Sequence, residues 1–265
     1  RAARRTPHAA RYETMGDEPY MLKMNLNDMA VLVDADRIRA AKLAIRDYGA
    51  DTVILDDGLQ QWSIKKDLEI VTIDATSPFG NRKLIPRGIL REPLSSLKRA
   101  DVFVVTKTNL NQTGDRVKGF LGRINPTALS VESVHQPLGF RRLDKPGELL
   151  GISVLAGETV TLFSGIGDPD SFEALIRNLG AQIGLSFRFR DHHNYSKEDL
   201  DKIIKSSKDK NIDTIITTEK DAVRLSPYLL PTTYYLLNFL FLRIELKIIK
   251  DEQEFYNRLL GLYSP

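Results

Sequence analysis

The chain has 265 residues, 42% of them apolar and 28% charged, which suits a sizeable core and two domains of ordinary size and does not suit a disordered chain. Its 38 basic and 35 acidic residues leave a net charge of only +3, too even to argue for a nucleic-acid partner. Cysteine is absent, which excludes disulfides, thiolate metal sites and cysteine nucleophiles and is consistent with a reducing compartment.

The first residues, "RAARRTPHAARYE", are basic but lead into no apolar stretch, so they do not read as a signal peptide. The chain does not begin with Met, which is what a fragment or a processed piece would show. From there, short β-type runs alternate with helical patterns, predicting an α/β protein with a mostly parallel sheet covered by helices. "MAVLVD" (29–34) reads as a strand, and "DRIRAAKLAIRDYGA" (36–50) as a helix with Ile38, Ala41, Ala44, Ile45 and Tyr48 on one face. "TVIL" (52–55), "LEIVTID" (68–74) and "ADVFVVTK" (100–107) read as strands, with a short helix at 93–99 before the last. Near residue 136 the stretch "HQPLGFRRLDKPGELLG" loses periodicity, as a linker or a domain crossing would.

A second α/β unit follows. It has a strand at 159–165, a helix opened by Asp168 and Pro169, a strand at 185–190, and a helix from Ser196 with Asp199 in capping-box spacing. A strand at 213–218, a β-rich run at 234–249 and a helix from Asp251 complete it. The charge-free run from Ser226 to Leu242 is interrupted by Pro231 and Asn238 and falls short of the roughly 18 apolar residues of a spanning helix, so a buried strand is expected there.

Five segments hold side chains that could do chemistry. In "VILDDGLQQW", Asp56 and Asp57 follow an apolar strand candidate, at the carboxyl end where open α/β sheets gather ligands and where P-loop enzymes hold Mg²⁺; "DDG" is equally good turn chemistry. "TMGDEPY" pairs Asp17 with Glu18 and by itself reads as a surface turn. The stretch from Ala75 to Pro93 is long for a loop and carries Arg82, Lys83, Arg87 and Arg91, which suit a phosphate-bearing partner or simply solvent. In "RDHHNYS", His192 and His193 are adjacent on an extended segment and point opposite ways, so one histidine acting alone as acid, base or hydrogen-bond partner fits better than a joint metal site. "TTEKDAVRL" (217–225) reads as a capped helix start after a strand.

Together, in this order, "GDEPYML", "VILDDGLQQW", "FGNRKLIPRGILREPLSSLKRAD", "FSGIGDPDSF", "DHHNYS" and "TTEKDAVRL" closely resemble the tetraacyldisaccharide 4'-kinase family, the lipid A 4'-kinases, from Gly16 onward. The resemblance implies a P-loop-kinase-like core at residues 1–136, with helices on both faces of a mostly parallel sheet. A smaller C-terminal α/β domain at 137–265 is joined to it by a β-ribbon. It implies transfer of the γ-phosphoryl group of ATP, with Mg²⁺, to the 4'-hydroxyl of a tetraacyldisaccharide 1-phosphate in lipopolysaccharide biosynthesis. The setting implied is peripheral, at the cytoplasmic face of the bacterial inner membrane, as a monomer without nucleic acid. By the same resemblance Asp17 is the catalytic base and His192 orients and tunes it from the other domain. Glu18 lies near the metal, Asp56 and Asp57 are the Mg²⁺ acids, Gln60 lines the cleft and Arg91 contacts phosphate.

The sequence departs from the family in two places. Gln61 stands where the family often has His, and no G-x-x-x-x-G-K-[ST] segment occurs in these 265 residues, only 16 of which precede Asp17. The expectation is therefore a chain lacking the family's P-loop and N-terminal membrane segment, and inactive alone. The alternative is a non-catalytic remnant that still binds the lipid disaccharide but has lost nucleotide binding.

Overall fold

The computed structural model describes residues 15–110, 113–225 and 237–263. The chain forms two compact units that are discontinuous in sequence: Arg1–Val53 with Pro137–Ile244, and Ile54–Gln136 with Glu245–Pro265. A boundary does fall at 136/137, but a simple division into 1–136 and 137–265 does not describe the units. Residues up to Val53 group with the later unit and the last 21 return to the earlier one, because packing contacts, and not chain order, define a compact unit.

In the unit containing residues 54–136, β1 (Ile70–Asp74), β2 (Val102–Thr106) and the first half of β3 (Leu129–Arg142) are parallel neighbours. "VFVVT" is apolar nearly throughout because β2 is buried along its whole length, as parallel strands covered on both faces are. One side packs Phe103 and Val105 against Val117 and Leu121 of α3 (Gly114–Ile124). On the other, Val102, Val104 and Val131 meet Ile248 and Phe255, from β8 (Asn238–Lys250) and α7 (Glu252–Leu260).

In the other unit the parallel order is β8, β7 (Thr214–Thr218), β5 (Thr159–Ser164), β6 (Gln182–Arg188). Its two apolar layers include Phe172 and Ile176 of α4 (Pro169–Asn178), and Leu200, Ile203 and Ile204 of α5 (Lys197–Asp209). Both helices start as predicted: the Asp168 carboxylate accepts from the Ser171 amide, and Ser196 and Asp199 form a reciprocal capping box.

Three expectations change. Residues 29–34 and 52–55 are not strands: they are irregular, and Met29, Val33, Val53 and Ile54 are exposed. An extended apolar run becomes a strand only beside another backbone that takes up its amides and carbonyls, and among the described residues neither run has one. The helix between them does form, as α2 (Arg37–Tyr48), because its signals are local. The Asp36 carboxylate caps the amides of Ile38 and Arg39, and Gly49 closes the helix at φ 65°. Lastly, the stretch near residue 136 is a crossing between the units, as one of its two readings had it, but not a linker: β3 runs without a break through Pro137 and Gly139 and pairs antiparallel with β4 (Leu149–Leu150). Gly139 is required there, since its φ is 151° and a Cβ would come within 2.3 Å of the Leu150 carbonyl oxygen.

The β-rich run expected at 234–249 is β8 from Asn238 onward; residues 226–236, which carry most of the charge-free run, lie outside the described residues. Among the described residues no helix is long and apolar enough to cross a membrane.

Candidate active site

The "GDEPY" segment forms no surface turn. Gly16, at φ 89°, leads into α1 (Asp17–Asn25), and the Asp17 side chain at its first position is only 13% exposed. Acids in a first turn suit the positive end of a helix. Tertiary partners hold this one more firmly, and all lie in the same compact unit.

Arg224, His192 and the Glu18 amide converge on the Asp17 carboxylate. Arg224 Nε donates to Oδ2 at 2.6 Å, and its Nη2 reaches the same oxygen. His192 Nδ1 is 3.1 Å from Oδ2, and the Glu18 amide donates to Oδ1 at 3.0 Å. Burial pushes the Asp17 carboxyl up, but the Arg224 guanidinium, the Glu18 amide and His192 outweigh it and hold it below the ordinary aspartate range. The group is therefore an ionised carboxylate across the physiological range, able to accept a proton or a hydroxyl hydrogen bond.

Arg224 is itself anchored. Its side chain is 2% exposed, and Nη1 donates to the Gly165 carbonyl at 2.9 Å and to Asp221 Oδ1 at 3.1 Å. Asp221, with no exposure, accepts also from the Gly165 amide at 3.0 Å, the Tyr195 hydroxyl at 2.9 Å and the Thr218 hydroxyl at 2.6 Å. Burial pushes the Asp221 carboxyl up against these donors, and burial together with Asp221 pushes the Tyr195 hydroxyl up. Gly165 ends the "FSG" strand at a place with no room for a side chain: a Cβ would lie 3.0 Å from the Arg190 carbonyl and 3.1 Å from the Tyr195 hydroxyl.

His192 and His193 diverge, as their adjacency predicts. His193 Nε2 lies 3.0 Å from Asp199 Oδ2, whereas His192, at a left-handed φ of 59°, turns its ring toward Asp17. Lys220 Nζ stands 3.3 Å from His192 Nε2 and pairs with Glu18 Oε1 at 2.8 Å, so the Glu18 carboxylate is engaged by a cation.

The other predicted residues lie in the second unit. Asp57 stands at φ 51° before the turn Gly58–Gln60, with Oδ2 accepting from Arg91 Nη1 at 2.9 Å. Both side chains are well exposed, so the pair contributes little to stability and is open to exchange for a ligand. Asp56 is exposed and takes part in no ion pair among the described residues. Lys66 pins the turn through the carbonyls of Gly58 and Gln61, and Gln60 is half-buried within it. The structure thus brings Asp17, Glu18 and His192 together in one unit and Asp57 and Arg91 in the other, with Asp56 and Gln60 beside Asp57 in sequence. Among the described residues no cluster of three or more His, Asp and Glu could hold a metal ion. Asp56 and Asp57 do supply hard oxygens, and Arg91 occupies only one oxygen of Asp57. That fits Mg²⁺ as it is usually bound, through one or two carboxylates with the remaining positions left to phosphate and water.

Arg224, Asp221, Tyr195 and Lys220 were not singled out by the sequence. The available signal was in "TTEKDAVRL": two cations four residues apart, one helical turn, flanking an acid at the carboxyl end of a strand.

The chain thus has a mostly parallel α/β architecture and, in one unit, an ionised aspartate beside a histidine and a buried arginine. The fold is shared with a solved structure described as LpxK from Aquifex aeolicus in complex with ATP, at TM-score 0.70 and 24% identity, covering 96% of this chain and 71% of that one. The family model for tetraacyldisaccharide-1-phosphate 4'-kinase matches residues 2–264, and the chain belongs to that family. The tetraacyldisaccharide 4'-kinase of Halothermothrix orenii is 39% identical over 221 residues, covering 80% of this chain and 58% of the relative. That of Syntrophus aciditrophicus is 36% identical over 223 residues, covering 80% and 59%. The chain thus spans less than two thirds of the length of these relatives.

Proposed function

We propose that this chain carries the proton-accepting and metal-facing parts of an ATP-dependent 4'-kinase acting on a tetraacyldisaccharide 1-phosphate in lipid A biosynthesis, at the cytoplasmic face of the inner membrane. The observation that carries the reading is the convergence of His192 and Arg224 on Oδ2 of Asp17. In the proposed reaction the 4'-oxygen of the sugar forms a bond to the γ-phosphorus while the bond from that phosphorus to the bridging oxygen of ADP breaks. The hydroxyl proton passes to Asp17. A strongly basic carboxylate is not needed for this, because the transition state is loose and proton transfer lags behind phosphorus–oxygen cleavage. A firmly placed one is, and Arg224 supplies the placement.

Mg²⁺ would be held by Asp56 and Asp57 and would neutralise charge on the β and γ phosphates. Arg91, already beside Asp57, can contact a phosphate oxygen. No Walker A segment occurs in these 265 residues, so the reading includes the expectation that the chain alone does not turn over and that a form extended upstream with a strand, P-loop and helix does. Phosphorylation of the lipid acceptor by the two forms tests this; equal activity overturns the second half. In the active form Asp17→Asn should lower kcat by about 10²–10⁴-fold, the usual scale of a lost general base, with ATP affinity little changed. An unchanged kcat removes Asp17 from the reaction.

A further inference from the structure

We propose that the loop between β1 and β2, together with Arg123 of α3, is a docking face for an anionic lipid bilayer. Leu84, Ile85 and Ile89 enter the headgroup region, and Arg82, Lys83, Arg87 and Arg123 meet the lipid phosphates.

No acidic residue stands between Asp74 and Glu92, although the chain as a whole is nearly balanced in charge, and this segment carries Arg82, Lys83, Arg87 and Arg91. Elsewhere cations are answered by carboxylates: Lys220 on α6 (Glu219–Ala222) pairs with Glu18, and Lys118 and Lys250 share Glu132. In the loop Arg91 has Asp57, but Arg82, Lys83 and Arg87 take part in no ion pair among the described residues. Arg82 turns instead to Phe120 of α3, its guanidinium carbon 5.3 Å from the ring centre, and Arg123 approaches the same ring at 5.8 Å. Two guanidiniums gathered on one ring, with no carboxylate paired to either among the described residues, carry a charge that an external anion would settle.

Among these cations Leu84, Ile85 and Ile89 are 44%, 62% and 62% exposed. Single exposed apolar side chains are ordinary, but three within six residues, beside unpaired cations, have the composition of an interfacial membrane anchor. The exposure is built into the backbone. Asn81 Nδ2 donates to the Arg87 carbonyl at 2.7 Å, the Ile85 amide to the Leu90 carbonyl at 2.9 Å, and the Leu90 amide to the Lys83 carbonyl at 3.1 Å. Backbone thus fills the inside of the loop, where a Cβ on Gly88 would strike Asn81 and Lys83, and these apolar side chains are left outside. A nucleic acid is the poorer fit. Bases bind by stacking on open aromatic rings, and Phe120 already has Phe79 and two arginines against it, whereas aliphatic side chains beside cations suit acyl chains beneath phosphates.

The inference rests on the peripheral membrane setting proposed above and names the face that meets the lipid; binding is read without ATP or acceptor, so it does not depend on turnover. The experiment is co-sedimentation of the 265-residue chain with vesicles of phosphatidylcholine, alone or mixed with an equal part of phosphatidylglycerol, at low salt. The chain should bind the mixed vesicles and leave the neutral ones largely unbound. Lys83→Gln with Arg87→Gln should weaken binding roughly 20–30-fold, since each cation at an anionic surface is worth about fivefold. Ile85→Ser should weaken it about tenfold. Lys202→Gln with Lys205→Gln, two exposed lysines of α5, makes the same change in net charge and should alter binding by less than about twofold. No binding to either vesicle fails the membrane setting and the loop together. Binding that both loop variants, folded by circular dichroism, retain as tightly as the wild type fails the loop alone. An equal loss in the α5 pair assigns the binding to overall charge and overturns the proposal, as does retention of poly(U) RNA through the loop in place of vesicles.

Discussion

Replacing Arg224 by methionine tests whether the candidate site is built on a buried ion pair. The substitution keeps much of the stem volume but removes every donor from a side chain that is 2% exposed. It strips one hydrogen bond from the Gly165 carbonyl, one from the fully buried Asp221, and the main cation from Asp17. Breaking a buried pair from one side costs about 3–5 kcal/mol, because the other charge is left uncompensated. Asp221 keeps the Gly165 amide and the hydroxyls of Tyr195 and Thr218, and Asp17 is not fully enclosed. The loss should therefore sit at the low end, about 3 kcal/mol, a sizeable part of the ~5–15 kcal/mol that holds a typical domain together. Native-state hydrogen exchange at the buried amides of Val160–Phe163 reads it directly: 3 kcal/mol is roughly a hundredfold faster exchange. Adding Asp221→Asn should recover part of the loss by removing the stranded charge. Less than a tenfold acceleration in the single variant, or no recovery in the double, refutes the view of Arg224 as the keystone of this site.

Two further predictions concern other groups. Because the folded state holds the Asp17 carboxyl below its unfolded value of ~3.9, its contribution to stability is complete above that value and is lost as pH falls through the folded one. The stability gap between the wild type and Asp17→Asn should therefore narrow between about pH 5 and pH 2 in denaturant titrations, and a gap independent of pH contradicts the assignment. At Gly88 a Cβ would lie 2.1 Å from Asn81 Oδ1 and 2.2 Å from the Lys83 carbonyl oxygen, whereas at Gly119 nothing lies within 4 Å. Gly88→Ala should cost about 1–3 kcal/mol and expose the basic loop to trypsin, while Gly119→Ala should be neutral or slightly stabilising; equal trypsin sensitivity in the two refutes the packing argument.

Features set by neighbouring residues could be read from the sequence. The caps at Asp36, Asp168 and Ser196 each lie within three residues of the amides they satisfy, and the helices they open are present. The apolar run of β2 is likewise legible because both faces are buried. What failed depends on distant partners. "MAVLVD" and "TVIL" have the composition of strands but no neighbour among the described residues, and Pro137 with Gly139 suggested a break where β3 continues. At the site, Asp17 and His192 were named through family resemblance, and the structure places them 3.1 Å apart. The arginine that links them to the interior was not named, because Arg224 is 207 positions from Asp17 and the spacing of Lys220 and Arg224 in "TTEKDAVRL" carries no signature of burial.

The division of the chain into discontinuous units also decides how it can be taken apart. The backbone passes between the two units after Val53, Gln136 and Ile244, and the second and third crossings fall inside the strands β3 and β8. Neither unit can be excised from the gene as one uninterrupted reading frame. A cut at residue 136 would sever β3 in its middle and part Asp17 from His192 and Arg224. Minimal versions of either half would have to be built by rejoining separate segments or by permuting the termini.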